Sequence, residues 1–166
     1  PRSLAEDIEG ADWMPDAKTL AIVREVGGKD RLEYPIGKVL YETEDWIGSP
    51  RLSPDGDRIA FWVSRSRSDA TVEIVDLADK HSVLAGRWNY GYTLAWSPDG
   101  REVWFTANKT GYQSPLYAVT LSGNVRLVMR LPSWIVLQDI SRDGRALLSR
   151  GTLHSSIRAA VAGDTV

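Results

Sequence analysis

Side chains able to carry chemistry are sparse in this chain of 166 residues. His154 is flanked by Ser155 and Ser156, and Asp139 and Asp143 lie upstream. The hydroxyl, imidazole and carboxylate of an acyl-transfer triad can therefore be collected from one stretch. A working triad also needs its serine on a strained elbow, within reach of the imidazole. Here the serines adjoin the histidine, and adjacent residues of a strand point to opposite faces. Neither Gly-x-Ser-x-Gly, Gly-x-Gly-x-x-Gly nor His-Arg-Asp occurs. His154 reads as a loop residue between two strands, and no enzymatic activity is expected.

The carboxylates offer a second possibility. Asp12, Asp139 and Asp143 could approach a common axis and hold a cation such as calcium. The competing reading is that turn aspartates bond to nearby backbone N–H groups, and their spacing is that of the turns themselves. With no cysteine and only His81 and His154, thiolate zinc sites, disulfides and multi-histidine cages are excluded. No metal or cofactor is expected. Twenty Lys and Arg against 22 Asp and Glu give a formal net charge of -2, without the basic excess that a nucleic-acid partner requires. No apolar run approaches the roughly 18 residues that span a bilayer, so no membrane partner is expected. The chain begins Pro1-Arg2-Ser3, without methionine or a signal-like stretch, and reads as a portion of something longer.

Whatever these residues do, a repeat has to position them. Four segments share one pattern: Trp13-Met14-Pro15-Asp16-Ala17, Leu52-Ser53-Pro54-Asp55-Gly56, Trp96-Ser97-Pro98-Asp99-Gly100 and Ile140-Ser141-Arg142-Asp143-Gly144. Their aspartates are 39, 44 and 44 residues apart. A period of about 40–45 residues is that of a four-stranded propeller blade. Within each motif, proline presets φ, aspartate bonds to backbone N–H and glycine supplies a positive φ, so Pro54, Asp55, Gly56, Pro98, Asp99, Gly100, Asp143 and Gly144 read as hairpin turns. Ala17 and Arg142 replace the glycine and the proline, which predicts looser first and fourth turns. Four residues after each aspartate come Leu20, Ile59, Val103 and Leu147, read as equivalent positions of the next strand. The second strand of a unit, for example Ile59-Ala60-Phe61-Trp62-Val63, is apolar on both pleat faces, as a sheet covered on both sides must be.

The ends complete the pattern. Val166 stops where the fourth unit's outer strand should begin, and Arg2-Ser3-Leu4-Ala5 precedes the first inner strand, where an outer strand belongs. The expected organisation is one segment over residues 1–166. Its units lie at about 9–45, 46–87, 88–133 and 134–166, and residues 1–8 supply the outer strand that completes a terminal unit.

SPDGDRIAFW, SPDGREVWF and the degenerate SRDGRALL resemble the blades of TolB-like, WD40-like β-propellers. The resemblance covers about the whole chain. Gly-His and Trp-Asp dipeptides of ordinary WD repeats are absent, so the TolB type is the nearer likeness. It implies an all-β fold, a propeller segment of four four-stranded antiparallel blades. Such blades occur in TolB, in the non-catalytic propeller of prolyl-oligopeptidase-like hydrolases, and in sensor or scaffold modules of bacterial kinases and winged-helix regulators. Four blades are fewer than such proteins usually carry, so the segment is expected to be half of an eight-bladed ring, cut from a larger parent or closed as a homodimer about a two-fold axis.

In this frame Trp46, Trp88, Tyr90 and Trp134 recur where an outer strand passes to the next inner strand. That places them on one face of the ring with the basic loop residues Lys29, Arg31, Arg65, Arg67, Lys109 and Arg150. Exposed aromatics there would anchor a peptide or protein partner, and the basic rim would steer an acidic one. The alternatives are aromatic wedges between blades and simple solvated loop tips. The function expected is a non-enzymatic interaction, sensor or scaffold module of a longer bacterial regulatory protein. The alternatives are the gating propeller of a serine hydrolase and a fragment made to study propeller assembly.

Overall fold

The computed structural model describes residues 6–14, 17–111 and 113–152, the side chain of Tyr90 excepted. Residues Arg2 to Ala5, the expected third strand of the fourth unit, and His154 with Ser155 and Ser156 lie outside the described residues. Every regular element described is a strand. The first blade is β1 (Ile8–Trp13), β2 (Leu20–Val26), β3 (Lys29–Glu33) and β4 (Val39–Thr43). The second is β5 (Trp46–Leu52), β6 (Arg58–Ser66), β7 (Asp69–Asp76) and β8 (His81–Trp88). The third is β9 (Tyr90–Trp96), β10 (Glu102–Asn108), β11 (Leu116–Thr120) and β12 (Val125–Met129). Of the fourth, β13 (Trp134–Ile140) and β14 (Ala146–Gly151) are described. Each sheet is an antiparallel meander in sequence order. The inner strands β1, β5, β9 and β13 lie side by side, so the blades fan around an axis as in a propeller.

Three apolar seams hold the blades together. Ile59, Phe61 and Val63 of β6 face the first blade, among Ala21, Val23, Leu32 and Ile47. Ala60 and Trp62 of the same strand face the third blade, among Leu94, Phe105 and Trp88. A third seam joins Ala95 and Leu116 to Ile135 and Leu137. All five residues from Ile59 to Val63 are fully buried, which is why the strand is apolar on both faces. Truncating an aromatic such as Phe105 to alanine would cost about 3–5 kcal/mol, transfer and cavity together.

The repeated motif closes the two innermost strands of each blade. The N–H of Ala17, Gly56, Gly100 and Gly144 donates to the carbonyl three residues earlier, at 2.8 to 2.9 Å. All four turn residues have positive φ, between 56° and 83°, Ala17 included. The fourth turn departs from its sequence reading. The N–H of Ser53 and Ser97 donates to the carbonyl five residues on, whereas that of Ser141 donates to the carbonyl four residues on, at Arg145. The strand therefore starts one residue early: Ala146 pairs with Ile140 as Ile59 pairs with Leu52 and Val103 with Trp96. Leu147 is thus the counterpart of Ala60 and Trp104, not of Ile59 and Val103. Every inner pair also carries a register shift, which bends the inner strand at the axis.

An L-residue in the left-handed region is strained by about 1–2 kcal/mol. A Cβ on Gly100 would meet nothing closer than Pro54 Cδ at 3.8 Å, so Gly100→Ala isolates that backbone strain. It should lose about 1–2 kcal/mol in urea unfolding, while Ala17→Gly should gain up to about 1 kcal/mol, offset in part by unfolded-chain entropy. Opposite signs for the two substitutions are the expected outcome.

Candidate functional site

Inner strands enter the fold on one face of the ring, and Trp46 and Trp134 stand at two of those entries, 88 residues apart and at equivalent places in β5 and β13. Tyr90 opens β9 at the intervening entry. Both indoles lie over glycines. A Cβ on Gly48 would collide with the ring of Trp46, and one on Gly151, the cross-strand partner of Trp134, with the ring of Trp134. Trp62 lies over Gly91 in the same way. Trp134 remains 41% exposed and meets Tyr92 edge-on, with centroids 5.4 Å apart. The two rings wall a groove of about 650 Å³, completed by Gln113, Pro132, Ser133, Gly151 and Thr152. The hydroxyl of Ser133 is buried with no hydrogen-bond partner among the described residues. A smaller hollow of about 240 Å³ between Trp46, Trp62 and Gly91 continues the same face.

Trp88 does not join this face. It is 2% exposed, packed edge-on to Phe105 at 5.2 Å and against Tyr117 at 4.7 Å, and it wedges the second blade against the third. Lys109 closes over it, its ammonium 4.6 Å from the ring centre. Much of the basic rim is neutralised. Lys29 and Arg31 pair with Glu42 at 3.0 and 2.5 Å, and Arg65 lies 3.5 Å from Asp45 and 3.7 Å from Glu73. Arg67 and Arg150 are exposed. Sequence reasoning missed Tyr92, Pro132 and the glycine platforms. A glycine two residues after Trp46, repeated as Gly151 across from Trp134, is the signal that would have marked them.

Along the axis, Asp12 and Asp139 flank a cavity of about 640 Å³ with Arg51, Trp96 and Gln138. Asp12 Oδ2 accepts the N–H of Leu52 at 2.8 Å. Burial pushes its carboxyl up, Asp139 adds to that, and the Leu52 N–H and Arg51 hold it back. Asp143 points elsewhere, into its own turn, where it accepts from Ser141 at 2.5 Å. Among the described residues no three acidic or histidine side chains gather as metal ligands would.

The turn face shows why serine opens the motif. Ser97 Oγ donates to Asp99 Oδ1 at 2.6 Å and accepts the N–H of Glu102 at 2.9 Å; Ser53 does the same between Asp55 and Arg58, and Ser141 between Asp143 and Arg145. That hydroxyl is the main reason the carboxyls of Asp55, Asp99 and Asp143 sit below the usual aspartate range.

No family model and no curated protein sequence matches the chain. Solved structures do. TolB from Acinetobacter baumannii superposes with a TM-score of 0.70 at 22% identity over 85% of this chain and 37% of its own. A putative TolB from Agrobacterium tumefaciens gives 0.67 at 19% identity, over 81% of this chain and 50% of its own. A prolyl endopeptidase gives 0.64 at 18% identity, over 87% of this chain and 26% of its own. The chain thus spans half or less of each of these structures. The likeness shows the fold: these blades are a β-propeller segment of the kind found in TolB.

The serine relay makes a pH-dependent prediction. A folded carboxyl that titrates below its unfolded value, about 3.9 for aspartate, contributes stability above that value and loses it as pH falls through the lowered folded one. Ser97→Ala returns Asp99 toward the ordinary range. Its stability deficit in urea should be larger at about pH 7 than at about pH 3. Equal deficits would mean that the hydroxyl–carboxylate bond is not what Ser97 contributes.

Proposed function

We propose that this propeller segment is a non-enzymatic recognition module that binds an extended peptide or loop of a protein partner on the face carrying Trp46 and Trp134. The observation that carries this reading is the groove beside Trp134. A half-exposed indole braced by Tyr92 and Gly151 is a rigid apolar surface with little conformational entropy left to lose, which is what interface anchors share. Pro132 and Tyr92 suit apolar or proline side chains. The paired rim argues against strong steering of an acidic partner; Arg67 and Arg150 supply local positive charge only.

The module fits a longer bacterial regulatory protein in which it serves as sensor or scaffold. The resemblance to sensor blades fused to kinases and winged-helix regulators supports that context. The likeness to a prolyl endopeptidase supports a second reading, an accessory propeller gating a serine hydrolase. A kinase or DNA-binding domain encoded in the same gene would favour the first and an α/β-hydrolase domain the second.

A random-peptide display library selected on the chain provides the test. Selected peptides should be apolar or proline-rich and should lose at least about tenfold in affinity on Trp134→Ala, the range of an interface anchor. Binding by tryptophan fluorescence should be unchanged in Arg101→Ala, on the turn face. Peptides that bind Trp134→Ala as well as the parent would remove the groove from the reading.

A further inference from the structure

Asp-Gly is the dipeptide that rearranges most readily of its own accord, because glycine has no side chain to hinder attack of its nitrogen on the preceding carboxyl. It occurs three times in this chain, at Asp55-Gly56, Asp99-Gly100 and Asp143-Gly144, and every copy stands in the repeated turn. The rearrangement is a dehydration followed by a hydrolysis. The glycine nitrogen bonds to the aspartate Cγ, its proton and the carboxyl hydroxyl leave as water, and a second water then opens the imide at the former main-chain carbonyl. The backbone afterwards runs through the side chain, one methylene longer, as an L-isoaspartyl linkage. Ring closure needs a free glycine nitrogen and a carboxyl in its acid form, because a carboxylate has no hydroxyl to lose.

In the folded turns both reacting groups are engaged. The N–H of Gly56, Gly100 and Gly144 donates to the carbonyl of Ser53, Ser97 and Ser141 at 2.8, 2.9 and 2.8 Å. The carboxylate is held from two sides. Oδ1 of Asp55, Asp99 and Asp143 accepts the hydroxyl of the same serines at 2.5, 2.6 and 2.5 Å, and Oδ2 faces Arg58, Arg101 and Arg145 at 3.7, 3.8 and 2.8 Å. The serine is itself fixed by the outgoing strand, its Oγ accepting the N–H of Arg58, Glu102 and Arg145 at 3.0, 2.9 and 3.1 Å. Ser53 and Ser97 are buried, so water has little access to take the place of their hydroxyls. A donor fixed against the carboxylate favours the charged form, which cannot close the ring.

We propose that Asp55, Asp99 and Asp143 are sites of spontaneous isomerisation, and that the motif serine holds each of them as a carboxylate that cannot react. The first unit supplies the comparison. There Met14 stands where the serine does elsewhere, and Ala17 where the glycine does. That turn closes all the same, the N–H of Ala17 donating to the Met14 carbonyl at 2.8 Å with φ at 56°. The hydroxyl is thus not required for the turn to form. It accompanies the glycine whose nitrogen attacks, and it is missing where the alanine methyl hinders that attack. An isoaspartyl linkage would lengthen the path between the serine carbonyl and the glycine N–H and release the inner strand pair, so the serine preserves chemically a turn that other residues suffice to close. None of this depends on the aromatic groove, which lies on another face.

Peptide mapping by mass spectrometry tests it on the whole chain, incubated for weeks at mildly acidic pH. Trypsin separates Asp55 and Asp99 into the peptides 52–58 and 88–101, so each turn is read against the other in one molecule. Methyl transfer from S-adenosylmethionine by an isoaspartyl methyltransferase confirms the product. Ser97→Ala should raise the rate at Asp99 at least about fivefold, the worth of one net hydrogen bond, and leave Asp55 at the parent rate. Ala17→Gly makes an Asp-Gly turn without the serine, at a residue whose backbone already suits glycine. It should isomerise at Asp16 at least about fivefold faster than at Asp55 and Asp99 of the same molecule. Should circular dichroism show that Ser97→Ala has not folded, Ala17→Gly decides alone. An unchanged rate at Asp99 in folded Ser97→Ala, or an Asp16 no faster than Asp55 and Asp99 in Ala17→Gly, would each overturn the proposal.

Discussion

A propeller blade is a sheet that must be covered on both faces, and in this chain that demand governs nearly everything else. β6 shows it most directly: alternate residues leave for opposite seams, and none from Ile59 to Val63 retains contact with water. A sheet of this kind has no solvent face on which to place polar residues, so it is stable only between two neighbours. Stability is then shared along the row of blades, each contributing a seam to the next, much as in other repeat architectures. Trp13 and Trp96 display the same position with and without that neighbour. Trp96 is sealed and hydrogen-bonded through its indole; Trp13 faces solvent.

The turn motif answers a different need. Closing β9 onto β10 requires a reversal tight enough to keep the inner strand at the axis, and the left-handed residue at its end supplies it. The serine hydroxyl then links the aspartate to the backbone of the outgoing strand, so the turn is held by its own residues and needs nothing from adjacent blades. This independence explains why degenerate copies survive. Ala17 takes the left-handed conformation without glycine, and the fourth turn drops a residue and shifts its strand by one while keeping the Ser141–Asp143 bond.

What could be read in advance follows the same division. The four turns, the positive φ at Gly56 and Gly100, and the doubly apolar strands are local consequences of spacing and residue type, and they were legible. Burial at strand ends was not, because it depends on residues supplied by another blade. Trp88 ends β8 with nothing nearby in sequence to show that Phe105, Tyr117 and Lys109 will enclose it. The basic loops were counted without Glu42, Asp45 and Glu73, which reach them only after the strands pair. The one-residue shift in the fourth turn was hidden because two leucines stand side by side at Leu147 and Leu148, so either register looks apolar.

Aromatic residues consequently serve two distinct ends in one repeat. Trp62, Trp88 and Phe105 fill the seam between the second and third blades, where their area is the cohesive force. That seam is closed without any contribution from Trp134, and the third seam is packed by Ala95, Leu116, Ile135 and Leu137. An indole left half in water is a solubility burden unless something covers it. Here it recurs at equivalent strand entries, Trp46 and Trp134, each seated on a glycine whose missing side chain makes room for the ring. Glycine in a strand interior weakens the strand, so at Gly48, inside β5, the pairing of a weakened strand with a fixed, exposed ring runs against stability twice. Use of the ring surface would offset the two losses, and it is on this ground that the entry face, rather than the axis or the turn face, is proposed for recognition.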